Sequence, residues 1–172
     1  MRTRTKTRNR GPLTRQSVQP SRDPADYAFV HRVRTRFAET DAMGVVHHAA
    51  YLPYLEVARV EYLRAIGHPY DEVRGTARAV GGEPEDAREF PVLEAWVQYR
   101  KPLLFDDEVD VALVVVAASR ATFQIAYLLS VGGEVRALAV TVHGCVDRQG
   151  RAARLPGWVT EVSHPSTDDS TG

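Results

Sequence analysis

Within residues 39–59 the chain sets one carboxylate, Asp41, a few positions ahead of two adjacent imidazoles, His47 and His48. A carboxylate can take a proton from water or attack a carbonyl carbon itself, and an imidazole can move a proton or hold a polar group. A metal site built from Asp41, His47 and His48 is disfavoured, because adjacent histidines usually point apart and no third nitrogen or sulfur ligand has suitable spacing. Taken alone, Asp41 also suits a turn or a cap, and each histidine suits an ordinary surface or half-buried role.

These groups need an element to hold them, and the following residues supply a helix. Tyr51, Tyr54, Leu55, Ala58, Tyr62 and Ile66 recur at three- and four-residue steps and make one apolar stripe. Glu56 with Arg59, and Glu61 with Arg64, are favourable pairs on the other side. Pro53 lacks an N–H and belongs in a first turn, which sets the start between Ala49 and Leu52. Gly67 stands where a C-terminal cap belongs, with Pro69 beyond it. His48 therefore comes to the helix mouth, where backbone N–H groups lack partners and the dipole end is positive. Such a mouth can hold a developing oxyanion.

The 172 residues suit one domain with its own core, and the 22 basic and 22 acidic side chains cancel. They are unevenly placed. Residues 1–22 carry Arg2, Arg4, Lys6, Arg8, Arg10, Arg15 and Arg22 and no acid, so this segment is +7 and the remainder −7. With so few apolar residues it cannot offset its ordering entropy, and we expect residues 1–26 to be a disordered basic arm. Binding to nucleic acid is disfavoured, since nothing in the body of the chain supports it. The arm lacks the apolar run of a secretory signal, and no stretch approaches the ~18 apolar residues of a membrane helix. A lone Cys145 excludes an internal disulfide and fits a reducing compartment, so the cytoplasm is the expected location.

Along the chain, Tyr27–Phe37 reads as a first strand, with Phe29, Val33 and Phe37 on one face and Arg32, Arg34 and Arg36 on the other. After the helix, residues 68–88 read as a surface connection rich in glycine and acids. The period then changes to 2. Leu93 to Arg100, Val109 to Ala117, Phe123 to Val131 and Val135 to Val146 read as four strands, with Gly132-Gly133 as a two-residue hairpin turn. The last is apolar on both faces, as a central covered strand is. One amphipathic helix against an antiparallel sheet is an α+β arrangement. Its expected limits are 27–157, with 158–172 as a polar C-terminal tail.

Thr40-Asp41-Ala42-x-Gly44-Val45-Val46-x-His48-x-x-Tyr51, then Glu56-x-x-Arg59, closely resembles the signature of hotdog-fold acyl-CoA thioesterases of the 4-hydroxybenzoyl-CoA thioesterase-like group, which includes the Tol–Pal-associated short-chain enzymes. The likeness continues through Val97-x-Tyr99-x-x-Pro102-Leu103-x-x-Asp106-Asp107 to Cys145-Val146-Asp147, covering roughly Val30 to Pro156. It implies a single hotdog domain, a five-stranded antiparallel sheet wrapped around one long central helix, working as a homodimer or homotetramer with sites at the subunit interface. It also implies hydrolysis of an acyl-CoA or acyl-carrier-protein thioester, with Asp41 as catalytic carboxylate and the His48 helix start polarising the carbonyl. Gly44, Val46, His47 and Tyr51 would shape the acyl pocket. No cofactor is implied beyond the coenzyme A of the substrate. Similar proteins often carry Tyr at the position of His47 and Gly at that of Met43. A second branch places its carboxylate two turns into the helix, which makes Glu56 the reserve candidate. Arg100, Ser119 and Arg120 are the cations and hydroxyl expected at the coenzyme A rim. Two other readings are weighed: a non-catalytic acyl-CoA-binding domain, and a hotdog enoyl-CoA hydratase, whose Asp-x4-His spacing this chain lacks.

Overall fold

Three hydrogen-bonded hairpin partners and one long helix organise the chain. The computed structural model describes residues 18–70 and 87–163. In order come β1 (Phe29–Arg34), α1 (Tyr51–Ala65), β2 (Val92–Tyr99), β3 (Glu108–Ala118), β4 (Thr122–Val131), β5 (Glu134–Gly144) and α2 (Gly157–Glu161). The strands form one sheet in the order β1-β3-β4-β5-β2, and every neighbouring pair is antiparallel. β3, β4 and β5 follow each other as a meander. Between β4 and β5, Gly132 and Gly133 have φ of 57° and 82°, the left-handed pair that a tight hairpin turn requires. This is the five-stranded antiparallel α+β arrangement of a single hotdog domain.

Alternation decides what each face of the sheet meets. Val111, Leu113, Ile125, Tyr127, Leu129 and Ala139 point inward and are buried with Tyr51, Leu55, Ala58 and Tyr62 of α1. Pro53 falls in the first helical turn, and Gly67, at φ 82°, turns the chain away beyond the C-terminus. The helix packs chiefly on β1 and β3. No described helix is long and apolar enough to cross a membrane.

Three expectations change. β1 stops at Arg34, not Phe37: Arg36 and Glu39 close a capping box that turns the chain, and Phe37 stands 75% exposed beside Phe105. The end of the 1–26 arm is ordered, because Val18 is buried against Val114, Ala126 and Val140 on the outer sheet face. There Asp23 caps a turn at Pro24–Asp26, and the Tyr27 hydroxyl donates to the Ser21 carbonyl at 2.6 Å. Within the 158–172 tail, α2 buries Val159 and stacks Trp158 on His68, since one apolar turn suffices to close that end of the core. Of the 68–88 connection, residues 71–86 lie outside the described residues.

Candidate active site

The loop ahead of α1 is tied down at several points. Glu39 accepts from the Arg36 backbone at 2.8 Å, from the Arg36 guanidinium, and from the hydroxyl of Tyr54 on α1. Burial alone would raise the Glu39 carboxyl, but the bonds from Tyr54 and Arg36 outweigh it and hold it below the usual range. The Glu39 carbonyl then accepts from His47 N–H at 2.7 Å, and the Val46 N–H donates to Leu103 at 2.8 Å. Between these anchors lies a tight turn. The Asp41 N–H donates to Val45, the Gly44 N–H donates to Asp41, and Gly44 takes φ 77°, which favours glycine. One Asp41 carboxylate oxygen accepts the Met43 N–H at 2.8 Å, which is the turn role its sequence position suggested.

At the helix mouth the two histidines divide the work. His47 is the cap: its Nδ1 accepts the Ala49 N–H at 3.1 Å. His48 opens a single 3-10 turn that runs into α1, and its backbone N–H meets no acceptor among the described residues. The Tyr99 hydroxyl donates to the His48 carbonyl at 3.0 Å, and the Tyr99 ring meets Tyr51 edge-on, so β2 pins the mouth in place. The imidazoles lie side by side with centroids 4.0 Å apart. No group of three His, Cys, Asp or Glu side chains able to hold a metal ion occurs among the described residues.

These pieces enclose a cleft of about 340 Å³ lined by Asp41, Met43, Val45, Val46, His48, Tyr51, Tyr99, Arg100, Lys101 and Pro102. The structure thus brings Asp41, His48, Val46, Tyr51 and Arg100 to one place. Gly44 and His47, expected in the acyl pocket, do not line this cleft: Gly44 makes the turn and His47 caps the helix start. Glu56 is not there; it is exposed on α1 with its carboxylate 4.0 Å from Arg59. Ser119 and Arg120 are not there either. They follow Ala118, which pairs with Phe123, whereas Tyr99 pairs with Ala137 near the β4–β5 turn, so the two groups sit at opposite ends of the sheet. At about 3.3 Å per residue, the stretch of β3 from Val111, level with Tyr99, to Ala118 separates them. Sequence reasoning missed Glu39 and Tyr54, which hold the loop, and Tyr99, which holds the helix mouth. A hydroxyl fifteen residues from a carboxylate leaves no periodic signal.

Comparison with known proteins gives the same picture. Residues 35–162 match the family described as the thioesterase-like superfamily. A 1,4-dihydroxy-2-naphthoyl-CoA hydrolase of Synechococcus elongatus is 30% identical over 140 residues, covering 78% of this chain and 96% of that protein. The crystal structure of a hypothetical protein from Aquifex aeolicus aligns with a TM-score of 0.69 at 37% identity, covering 78% of this chain and 98% of that one. A thioesterase from Thermus thermophilus, crystallised with coenzyme A and zinc, aligns at 0.62 with 29% identity, covering 77% and 88%. The fold, the loop-and-helix signature and these likenesses agree: the chain belongs to the thioesterase-like superfamily of hotdog proteins.

Proposed function

We propose that the protein hydrolyses an acyl-CoA or acyl-carrier-protein thioester, with Asp41 as its reactive carboxylate. The observation that carries this reading is the shared cleft, in which Asp41 faces the start of α1 and the His48 N–H has no acceptor among the described residues. Attack on a thioester carbonyl places negative charge on its oxygen. A fixed N–H at a helix start stabilises that charge without reorganising, and loss of one such donor typically costs roughly 10²–10³ in rate. A thiol of pKa about 8.5 leaves as thiolate, so no strong general acid is needed.

Two balanced routes fit a carboxylate here. In one, Asp41 takes a proton from water as the hydroxide attacks the carbonyl, and the collapsing intermediate expels the thiolate. In the other, an Asp41 oxygen attacks, the thiolate leaves, and water then adds to the Asp41 carboxyl carbon of the mixed anhydride, releasing the acyl carboxylate. Single turnover in ¹⁸O-water separates them, because only the second draws label into the carboxylate of Asp41.

Arg100 in the cleft is assigned to the coenzyme A rim. Ser119 and Arg120 can serve the same cleft only from a second subunit. A homodimer is the arrangement this favours: β2 is an outer strand of the sheet, and its Val92 and Leu93 are more than half exposed. Glu56 stays the reserve carboxylate.

The test is thiol release across aliphatic, aromatic and hydroxylated acyl-CoAs. For Asp41→Asn we expect a loss of at least a hundredfold with the thermal melt retained, since the amide oxygen can still accept the Met43 N–H. Undiminished turnover in this variant would remove Asp41 from the chemistry. Tight acyl-CoA binding without turnover in the wild type would favour the non-catalytic reading.

A further inference from the structure

A helix start leaves its first N–H groups without partners inside the helix, and here nearly all of them are taken up. Along the run from Val46 to Ala50, the Val46 N–H donates to the Leu103 carbonyl at 2.8 Å and the His47 N–H to the Glu39 carbonyl at 2.7 Å. The Ala50 N–H donates to the His47 carbonyl at 2.9 Å, and the Ala49 N–H to His47 Nδ1 at 3.1 Å. In this run only the His48 N–H is left without an acceptor among the described residues. Three of these bonds belong to His47, which gives its own N–H and receives on its carbonyl and on its ring.

The bond to the ring does more than satisfy Ala49. It closes a small loop that runs from the His47 side chain through the backbone to the Ala49 nitrogen, and the peptide group between His47 and His48 lies inside that loop. A peptide group is planar, so whatever fixes its tilt fixes the direction of its N–H, and this N–H is that of His48. The Ala50 N–H holds the carbonyl end of the same plane. The Tyr99 hydroxyl holds the next plane by the His48 carbonyl at 3.0 Å. His47 takes φ −59° and ψ 138°, outside the helical region, as a cap residue does. Its ring rests against that of His48, with centroids 4.0 Å apart, which limits its rotation. To accept from Ala49, Nδ1 must keep its lone pair, so the ring proton sits on Nε2.

We propose that His47 is a positioning residue for the oxyanion. Through Nδ1 it occupies the Ala49 N–H and sets the tilt of the peptide group before it, so that the His48 N–H is the donor presented to the thioester oxygen. His47 acts through His48, in keeping with its absence from the cleft lining. This rests on the hydrolase reading above and adds the side chain that aims the donor. Without the bond the plane can swing, and the freed Ala49 N–H becomes a second donor that water occupies. Binding of the substrate changes little, while stabilisation of the developing charge falls, so the loss belongs in kcat.

The experiment compares His47→Asn, His47→Gln and His47→Ala with the wild type, on whichever acyl-CoA of the panel above the wild type turns over fastest. The asparagine oxygen stands where Nδ1 stands, whereas the glutamine oxygen reaches only the place of Nε2. His47→Gln and His47→Ala should lose about tenfold in kcat, less than the roughly 10²–10³ of deleting a donor outright, with KM within about twofold. His47→Asn should recover kcat to within about threefold of the wild type. Amide exchange followed by NMR should show the Ala49 N–H exchanging faster in the glutamine and alanine variants but not in the asparagine one. Should His47→Ala fail to fold, the asparagine and glutamine pair decides. Equal kcat in all variants overturns the proposal and leaves the hydrolase intact. So does a loss shared alike by asparagine and glutamine, or one carried by KM, which is the behaviour of a side chain that shapes a pocket. Absence of wild-type turnover on every thioester would overturn the hydrolase reading and this one with it.

Discussion

His143 shows how one side chain couples this fold to pH. It is 1% exposed, its Nε2 shares a hydrogen bond with the Thr141 hydroxyl at 2.7 Å, and its ring stacks on Phe123. Burial is the main cause that drives its pKa down to about 3. A histidine depressed in the folded state favours the unfolded chain as protons become available. Its stability contribution is complete above about pH 6.5 and is lost as pH falls from there towards 3. Between pH 7 and pH 5 this one group removes about 2 kcal/mol. Urea midpoints measured over that range should fall accordingly, and His143→Gln should flatten the slope. An unchanged slope in the variant would locate the titration elsewhere. The Glu39 carboxyl, held low by Tyr54 and Arg36, works at a lower pH: its contribution is present above the ordinary carboxylate range and lost below it.

At the scale of elements, the turn between β4 and β5 sets the register of the meander. Both glycines sit at positive φ, with open space where a Cβ would go, so backbone conformation and not crowding decides what a substitution costs. Gly133→Ala should destabilise by about 1 kcal/mol, read as a lower thermal midpoint with an unchanged circular dichroism spectrum. This turn and its strands were legible in the sequence, because period-2 valines flank two consecutive glycines. α1 was legible for a similar reason, with Pro53 and Gly67 marking its ends. Phe37 misled, since alternation continues past the point where Arg36 and Glu39 bend the backbone. Ser119 and Arg120 looked suited to the cleft because their chemistry is right, yet sequence spacing says nothing about which end of a sheet a turn occupies. Arg59 looked like half of a surface ion pair, although its head lies inside.

For the molecule as a whole, the outer sheet face poses the larger question. Val114, Ala126, Leu128, Leu138 and Val140 there are all buried, with Val18, Tyr27 and Trp96 packed among them. One valine at the end of a basic stretch carries no periodic signal, which is why its burial could not be read in advance. Val18→Asp places a carboxylate among these side chains and should cost about 2–4 kcal/mol. Light scattering should show larger species for this variant than for the wild type, as uncovered apolar surface finds other copies. A variant of unchanged mass and stability would mean that the segment is dispensable.

That placement separates ancestry from architecture. The match to the family model begins at residue 35, just after β1 ends at Arg34 and well after Val18. A protein trimmed to the recognisable part would keep Asp41 and the helix mouth but give up the strand that borders β3 and the cover of the outer face. Its cleft could be intact in every named residue while the molecule around it became adhesive along one edge and one side.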